Sequence, residues 1–183
     1  MTHKVIVLLA DGFEETEALA PVDIMRRCGY EVRLLSISQT TTVKSSHGIS
    51  ITADGLLSDG AGEYELIMLP GGMPGTTNLN NSKAVCAEIT KAHDAGKWLA
   101  AICAAPMVYG QLGLLKGRRA TCYPGFEQYL TGALYEDTPV VVDGKIITAF
   151  GAGASLNLGK EIVAQLDGQA AADDVAAKVK MIS

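Results

Sequence analysis

The chain lacks the features by which nucleic-acid-binding and membrane proteins are recognised. It has no run of Lys and Arg, and its 15 basic residues are outnumbered by 20 acidic ones, a formal net charge of -5. Binding to a phosphate backbone requires concentrated positive charge, so a nucleic-acid partner is not expected. The longest apolar stretches, residues 5–10 and 98–106, are too short to cross a bilayer, and residues 1–4 lead straight into a predicted strand rather than a signal peptide. We therefore expect a cytoplasmic protein without a membrane partner.

Paired cysteines and complete phosphate-binding motifs are also missing. The four cysteines, Cys28, Cys86, Cys103 and Cys122, form no Cys-x-x-Cys pair. Their scatter favours reduced thiols over a disulfide framework or a zinc site, and we predict neither a metal nor another cofactor. Residues 151–156 resemble a dinucleotide-binding glycine motif, but the third glycine is missing and the segment lies late in the chain. We expect its small residues to line a pocket instead.

The remaining composition is that of one globular domain, residues 1–183, with 48% hydrophobic and 19% charged residues. Near-continuous apolar runs predict strands buried on both faces at residues 4–10, 65–69 and 98–102. Helical spacing predicts helices at residues 14–28, 82–95, 154–166 and 169–181. A strand at 31–37 and hairpin patterns at 43–52 and 140–149 complete the elements. The alternation of strands and helices predicts an α/β fold with a mostly parallel sheet covered by helices on both faces.

Three segments of unusual composition directly follow predicted strands: residues 11–17, 70–72 and 103–106. In open parallel sheets, ligands bind beyond the carboxyl ends of the strands. We therefore expect these three segments to converge at one functional site.

Cys103 is the strongest candidate for a nucleophile. It ends an apolar strand and begins a helix of small residues, the strand-turn-helix elbow known from serine hydrolases. A thiol there faces the partial positive charge of a helix N-terminus, which predicts a lowered pKa and a reactive thiolate. The alternative is a buried core cysteine, which we expect for Cys28 and Cys86. Cys122, in a predicted short strand, fits either interpretation.

Glu17 is anomalous because it heads the apolar face of the first predicted helix. Burial there predicts a raised pKa, so that the protonated carboxyl could donate a hydrogen bond to a thiolate. The alternative is a first-turn glutamate serving the helix N-terminus, a role that suits Glu14 better. Gly71 and Gly72 either form a plain turn or offer N–H groups that, with that of Ala104, make an oxyanion hole.

The histidines decide between nucleophile mechanisms, because His3, His47 and His93 all precede Cys103. Class I glutaminases require a later His-x-Glu and papain-like proteases a later His, so neither mechanism is expected. His3 is interpreted as part of a solvated terminus and His93 as a helix-surface residue. The role of His47 stays open.

Together, several ordered motifs resemble the ThiJ/PfpI superfamily, specifically its DJ-one branch, over nearly the entire chain. They are Ala-Asp-Gly-Phe-Glu-Glu-Thr-Glu at 10–17, Pro-Val-Asp-Ile-Met-Arg-Arg at 21–27, Leu-Pro-Gly-Gly at 69–72, Ala-Ala-Ile-Cys-Ala-Ala-Pro at 100–106 and Gly-Ala-Gly-Ala-Ser at 151–155. The resemblance implies a flavodoxin-like, Rossmann-like three-layer sandwich that forms homodimers. It also implies that Cys103 is an easily oxidised reactive cysteine, Glu17 its protonated partner, and Gly72 and Ala104 its oxyanion-binding amides.

The branch is associated with glutathione-independent glyoxalase activity on methylglyoxal or glyoxal, with deglycation of early sugar adducts, and with oxidative-stress sensing. A cofactor-free enzyme for small 2-oxoaldehydes is therefore expected, and a sensor whose Cys103 becomes a sulfinate is the alternative. Proteolysis is not expected, since Ala104 stands where protease-like relatives have His. A chaperone or another cysteine hydrolase is less favoured.

Three positions depart from the pattern of the branch. Tyr123 precedes Pro124 where relatives have His, His47 replaces an Arg expected across the dimer interface, and Phe150 replaces another Arg. Arg27 remains as the cation of an anion site. A pocket bordered by Gly71, Tyr123, Arg27 and His47 is thus predicted to be less cationic and more aromatic.

Overall fold

The computed structural model describes residues 2–182 of the chain. The strands are β1 Lys4–Leu9, β2 Glu31–Ser36, β3 Thr42–Lys44, β4 Ser50–Thr52, β5 Gly55–Leu56, β6 Leu66–Leu69, β7 Trp98–Ile102, β8 Arg119–Ala120, β9 Leu134–Tyr135, β10 Val140–Asp143 and β11 Ile146–Ala149. The helices are α1 Glu15–Arg27, α2 Gly75–Asn81, α3 Lys83–Asp94, α4 Pro106–Gln111, α5 Ser155–Asp167 and α6 Gln169–Lys178. The predicted strands and helices are present, with their ends shifted by a few residues at most, except that Cys122, predicted to lie in a short strand, is a buried residue beyond the end of β8.

Seven strands form the central sheet in the order β10-β11-β7-β6-β1-β2-β5. All neighbours in it pair in parallel except β10 and β11, which form the predicted hairpin. The middle strands β6 and β1 are buried almost throughout, because helices cover both faces. This confirms the α/β sandwich expected from the sequence.

Alternating side chains of β1 pack into two separate hydrophobic cores, one on each face of the sheet. Val7 and Leu9 pack in one cluster with apolar residues of α1, α5 and α6, whereas Ile6 and Leu8 pack in the other with those of α2, α3 and α4. Each fully buried side chain of this size contributes about 1.5–3 kcal/mol to folding. The two cores hold the sheet rigid, so its carboxyl edge is a fixed platform.

Some elements were not predicted from the sequence. Helix α2 was missed because its sequence, Gly-Thr-Thr-Asn-Leu-Asn-Asn, offers a single apolar residue, Leu79. The predicted β3–β4 hairpin forms, but as a separate two-stranded sheet rather than at the edge of the main one. It docks on the turn after β1, where the Ser46 N–H donates to the Phe13 carbonyl at 2.8 Å. None of the described helices is long and apolar enough to cross a membrane.

Candidate active site

The three predicted segments meet around Gly71 at the carboxyl edge of the sheet. The Gly71 N–H donates to Glu17 Oε2 at 3.0 Å, and its carbonyl accepts from the Glu14 N–H at 2.9 Å. A Cβ atom placed on Gly71 would lie 2.5 Å from Glu17 Oε2 and 2.6 Å from Cys103 Cβ. Only glycine therefore fits between the carboxyl group and the nucleophile, and the predicted convergence is confirmed.

Cys103 occupies a strained elbow between β7 and α4. Its φ is 64°, in the left-handed region that costs a non-glycine residue on the order of 1–3 kcal/mol. The surroundings hold this conformation from both sides: the Cys103 N–H donates to the Ala149 carbonyl, and the Cys103 carbonyl accepts from the Tyr123 N–H, each at 2.8 Å. A strained backbone at a partly buried thiol is the arrangement expected of a functional residue rather than of core filling.

Glu17 is 1% exposed, at the first turn of α1. Burial raises the pKa of its carboxyl group to about 7; hydrogen bonds donated by the Cys103 thiol and the Gly71 N–H oppose the rise, and the charge of Glu14 adds to it. The raised pKa agrees with the prediction. Glu14, not Glu17, caps the helix, since its side chain accepts from the Glu17 N–H at 2.6 Å.

The thiol of Cys103 differs from the sequence-based expectation. Burial and the charge of Glu17 raise the pKa of Cys103 to about 12, and hydrogen bonds from the Ala104 and Gly72 N–H groups only partly oppose them. The expected lowering was wrong because α4 has only six residues and the carboxyl group lies against the sulfur. The two groups titrate as a pair, which between about pH 7 and 12 holds one proton and one negative charge.

Two backbone amides border the sulfur. The N–H groups of Gly72 and Ala104 both reach Cys103, as the oxyanion-hole hypothesis requires. Gly72 has a φ of 87°, and a Cβ atom there would collide with the backbone of Glu14 and lie 2.7 Å from the carbonyl carbon of Phe13. This position therefore requires glycine, and the plain-turn interpretation does not account for the donors aimed at sulfur.

Tyr123 forms an aromatic wall beside the elbow. Its side chain is half-exposed, and a Cβ atom on Gly151 would lie 3.2 Å from its ring. Gly151 thus borders Tyr123, whereas a Cβ atom on Gly153 would meet nothing within 4 Å. Phe150 and Cys103 are both partly buried and each packs against the core cluster that contains Leu9.

The two predicted cations lie elsewhere. Arg27 is in the last turn of α1, roughly 15 Å along the helix from Glu17, and its Nε donates to Asp23 at 2.7 Å. His47 lies in the β3–β4 turn, with Nδ1 3.1 Å from Glu15 Oε1. Within the described part of one chain, neither side chain is hydrogen-bonded to Cys103 or Glu17. The anion site predicted for Arg27 is therefore not formed by a single chain.

His3 and the three cysteines other than Cys103 each have contacts or burial of their own in the fold. His3 is not solvated as expected, because its ring bonds to Glu65 at 2.5 Å and to Asp167 at 2.9 Å. Burial raises the pKa of Cys28, Cys86 and Cys122, as it does that of Cys103. What distinguishes Cys103 from the other three thiols is the carboxyl group of Glu17 hydrogen-bonded to it. A groove of about 720 Å³ lies at the opposite, amino edge of the sheet and does not include Cys103.

The sequence and the fold that carry this site match a known family. The model of the DJ-1/PfpI family matches residues 3–165, and the chain belongs to this family. A C103A mutant of a DJ-1 superfamily protein from Salmonella typhimurium superposes with a TM-score of 0.95 at 36% identity, both chains being fully covered. A deglycase of Pyrococcus abyssi is 33% identical over 80% of this chain and 89% of its own.

DJ-1 homolog B of Arabidopsis thaliana is 39% identical over 98% of this chain. The chain covers only 42% of that plant protein, so it spans less than half of this relative's length.

Proposed function

We propose that the chain is a glutathione-independent enzyme of the glyoxalase and deglycase type, acting on methylglyoxal or a related 2-oxoaldehyde. The carrying observation is the buried pair of Cys103 and Glu17, aligned through the single peptide unit of Gly71. Such a pair joins a nucleophile to a group that transfers protons near neutral pH. The relative named a deglycase supports this class of reaction.

The reaction begins when the Cys103 thiolate attacks the aldehyde carbon and forms a hemithioacetal. The N–H groups of Gly72 and Ala104 stabilise the negative charge that develops on the former carbonyl oxygen. Glu17 gives the proton that it took from the thiol to this oxygen. As a carboxylate it then removes the proton of the same carbon and delivers it to the neighbouring carbon, while the hydroxyl proton passes to the neighbouring oxygen, which yields a thioester. Water cleaves the thioester, releasing the 2-hydroxy acid and restoring the thiol. Overall, one water is added and nothing is oxidised or reduced externally.

Glu17 suits both halves of the proton transfer. With a pKa of about 7, the carboxyl group exists in both protonation states at physiological pH. A general acid–base works best when its pKa lies near the operating pH. When the Cys103 thiol transfers its proton to the Glu17 carboxylate, the sulfur carries the negative charge of the pair and can attack.

We further propose that the active form is a cytoplasmic homodimer. Leu19 on α1 and Ile49 in the turn before β4 expose apolar side chains next to the site, 37% and 50% exposed respectively. A second copy would cover them, because exposed apolar patches commonly mark protein interfaces. Arg27 could then approach a neighbouring pocket from the partner subunit.

The test is lactate production from methylglyoxal, measured without glutathione. Cys103→Ala and Glu17→Gln are each expected to abolish it, because one removes the nucleophile and the other the proton carrier. Cys86→Ala is the matched control, since Cys86 is a partly buried cysteine of α3 outside the site. Unchanged turnover in either site variant would contradict the mechanism.

A second candidate is a redox sensor, favoured by the same donors around the sulfur. Two equivalents of peroxide would convert the thiol to a sulfinate and release two waters. The sulfinate oxygens could accept from protonated Glu17 and from the N–H groups of Gly72 and Ala104. Mass spectrometry after graded peroxide tests this: Cys103 must oxidise before Cys28, Cys86 and Cys122, and equal rates would rule out the sensor.

A further inference from the structure

Three metal-ligating side chains converge at the start of α1, beside the Cys103 site. Glu14 caps the helix, Glu15 is its first residue, and His47 comes from the turn between β3 and β4. One ligand atom from each of the three lies within 4.8 Å of the others. His47 Nδ1 is 3.1 Å from Glu15 Oε1 and 4.0 Å from Glu14 Oε1.

These separations suit ligands that share one ion. Zinc binds imidazole nitrogen and carboxylate oxygen at about 2.0–2.2 Å, so two ligands of one ion are separated by roughly 3–4 Å. The Glu15–His47 distance fits two adjacent ligands of one ion. The longer Glu14–His47 distance fits two ligands with a wider ligand–metal–ligand angle. Little movement would be needed to bring the three atoms around a cation.

An unsatisfied oxygen provides independent support. Glu15 Oε2 is buried and has no partner within hydrogen-bond geometry among the described residues, although the side chain of Ser45 is near enough to lower the pKa of the Glu15 carboxyl group. The side chains of Glu14 and Glu15 are only 15% and 14% exposed, whereas that of His47 is 69% exposed. A buried acceptor without a partner is destabilising, and a cation would satisfy it. Within one chain, the exposed imidazole leaves a path from solvent.

The backbone holds the two ligand segments in register. The Gly12 N–H donates to the Lys44 carbonyl, and the Lys44 N–H donates to Asp11 Oδ1, each at 2.8 Å. Together with the bond between Ser46 and Phe13, these contacts fix the hairpin to the turn that precedes α1. Ligands placed by a pinned backbone lose little entropy when an ion binds.

We propose that Glu14, Glu15 and His47 bind a divalent cation of the zinc class. One imidazole and two carboxylates favour Zn²⁺, Co²⁺ or Ni²⁺ over Ca²⁺ and Mg²⁺, which prefer oxygen ligands alone, and over Cu(I), which prefers sulfur. Three protein ligands leave a fourth position for water. No metal-binding spacing is visible in the sequence because Glu15 and His47 are 32 residues apart.

The experiment titrates Zn²⁺ and Co²⁺ into the Cys103→Ala variant, since a thiol at position 103 could bind the same ions. Calorimetry gives the affinity for Zn²⁺, and the visible absorption of Co²⁺ reports its coordination. One ion per chain is expected. His47→Ala and Glu15→Gln in this background should each weaken binding at least about tenfold, the lower end of the loss seen when only an outer-shell partner is removed.

His93→Ala, on α3, is the matched control and should bind as tightly as the parent. Because His47 is an exposed turn residue, its removal leaves the fold intact, which thermal melting verifies. If the parent binds no ion, or if His47→Ala binds equally well, the cluster is only a Glu15–His47 ion pair and the proposal is overturned.

Discussion

Replacing Gly71 by alanine tests whether one peptide unit sets the distance between acid and nucleophile. The new methyl group would lie 2.5 Å from Glu17 Oε2, and the neighbours must withdraw by about 0.9 Å to reach an ordinary contact of 3.4 Å. A misplacement near 1 Å at a reacting centre can cost about 10²-fold in rate. Overpacking also costs about 1–3 kcal/mol, and 2 kcal/mol corresponds to a Tm lowered by roughly 4–8 °C in a domain of this size.

Two assays measure the effect of Gly71→Ala on the thiol and on turnover separately. Alkylation of Cys103 at several pH values reports the thiol whatever its substrate, and lactate formation reports turnover. Gly153→Ala is the control, because a Cβ atom on Gly153 meets nothing within 4 Å. If Gly71→Ala keeps turnover within threefold of the parent, the acid and nucleophile do not depend on this contact and the reasoning is refuted.

Three further predictions follow from the site and core. The pKa of Glu17, about 7, lies above that of an unfolded glutamate, so its stabilising contribution is full below about pH 4 and is lost as pH rises through 7. Glu17→Gln should remove this pH dependence, on the order of 3 kcal/mol in denaturation experiments from pH 4 to 8, and equal slopes would contradict it. Because φ of Cys103 is 64°, Cys103→Gly should be about 1 kcal/mol more stable than Cys103→Ala; the reverse order would disprove strain. Tyr109→Phe should lose about 1 kcal/mol in denaturant melts with Cys103 alkylation unchanged, because the buried hydroxyl donates to the Ala100 carbonyl.

The sequence predicted the sheet well because its central strands are apolar on both faces. Residues 98–102 match β7 completely, and residues 4–10 exceed β1 by one residue. The two-residue strands β5, β8 and β9 carry too little pattern to be seen, and they form because long-range neighbours supply their hydrogen bonds. Local patterning therefore suffices for the core but not for its edges.

Predictions for the candidate site succeeded or failed according to whether they depended on neighbours in the sequence or on residues far away in it. Burial of Glu17 followed from its helical face, and the elbow at Cys103 from the residues around it. The pKa of Cys103 was predicted in the wrong direction because the opposing carboxyl group comes from 86 residues earlier in the chain, and its effect depends on distance. Arg27 could have been excluded from the single-chain site by counting helical turns from Glu17.

Gly71 also limits how the site could be redesigned for bulkier substrates. Pockets are usually enlarged by trimming side chains, yet position 71 already has none, and Ala104 and Ala105 offer one methyl group each. Tyr123 is a large side chain beside this site, where it is half-exposed and its ring lies against Gly151. Redesign for bulkier substrates would therefore begin at position 123 and leave Gly71, which lies between the acid and the thiol, unchanged.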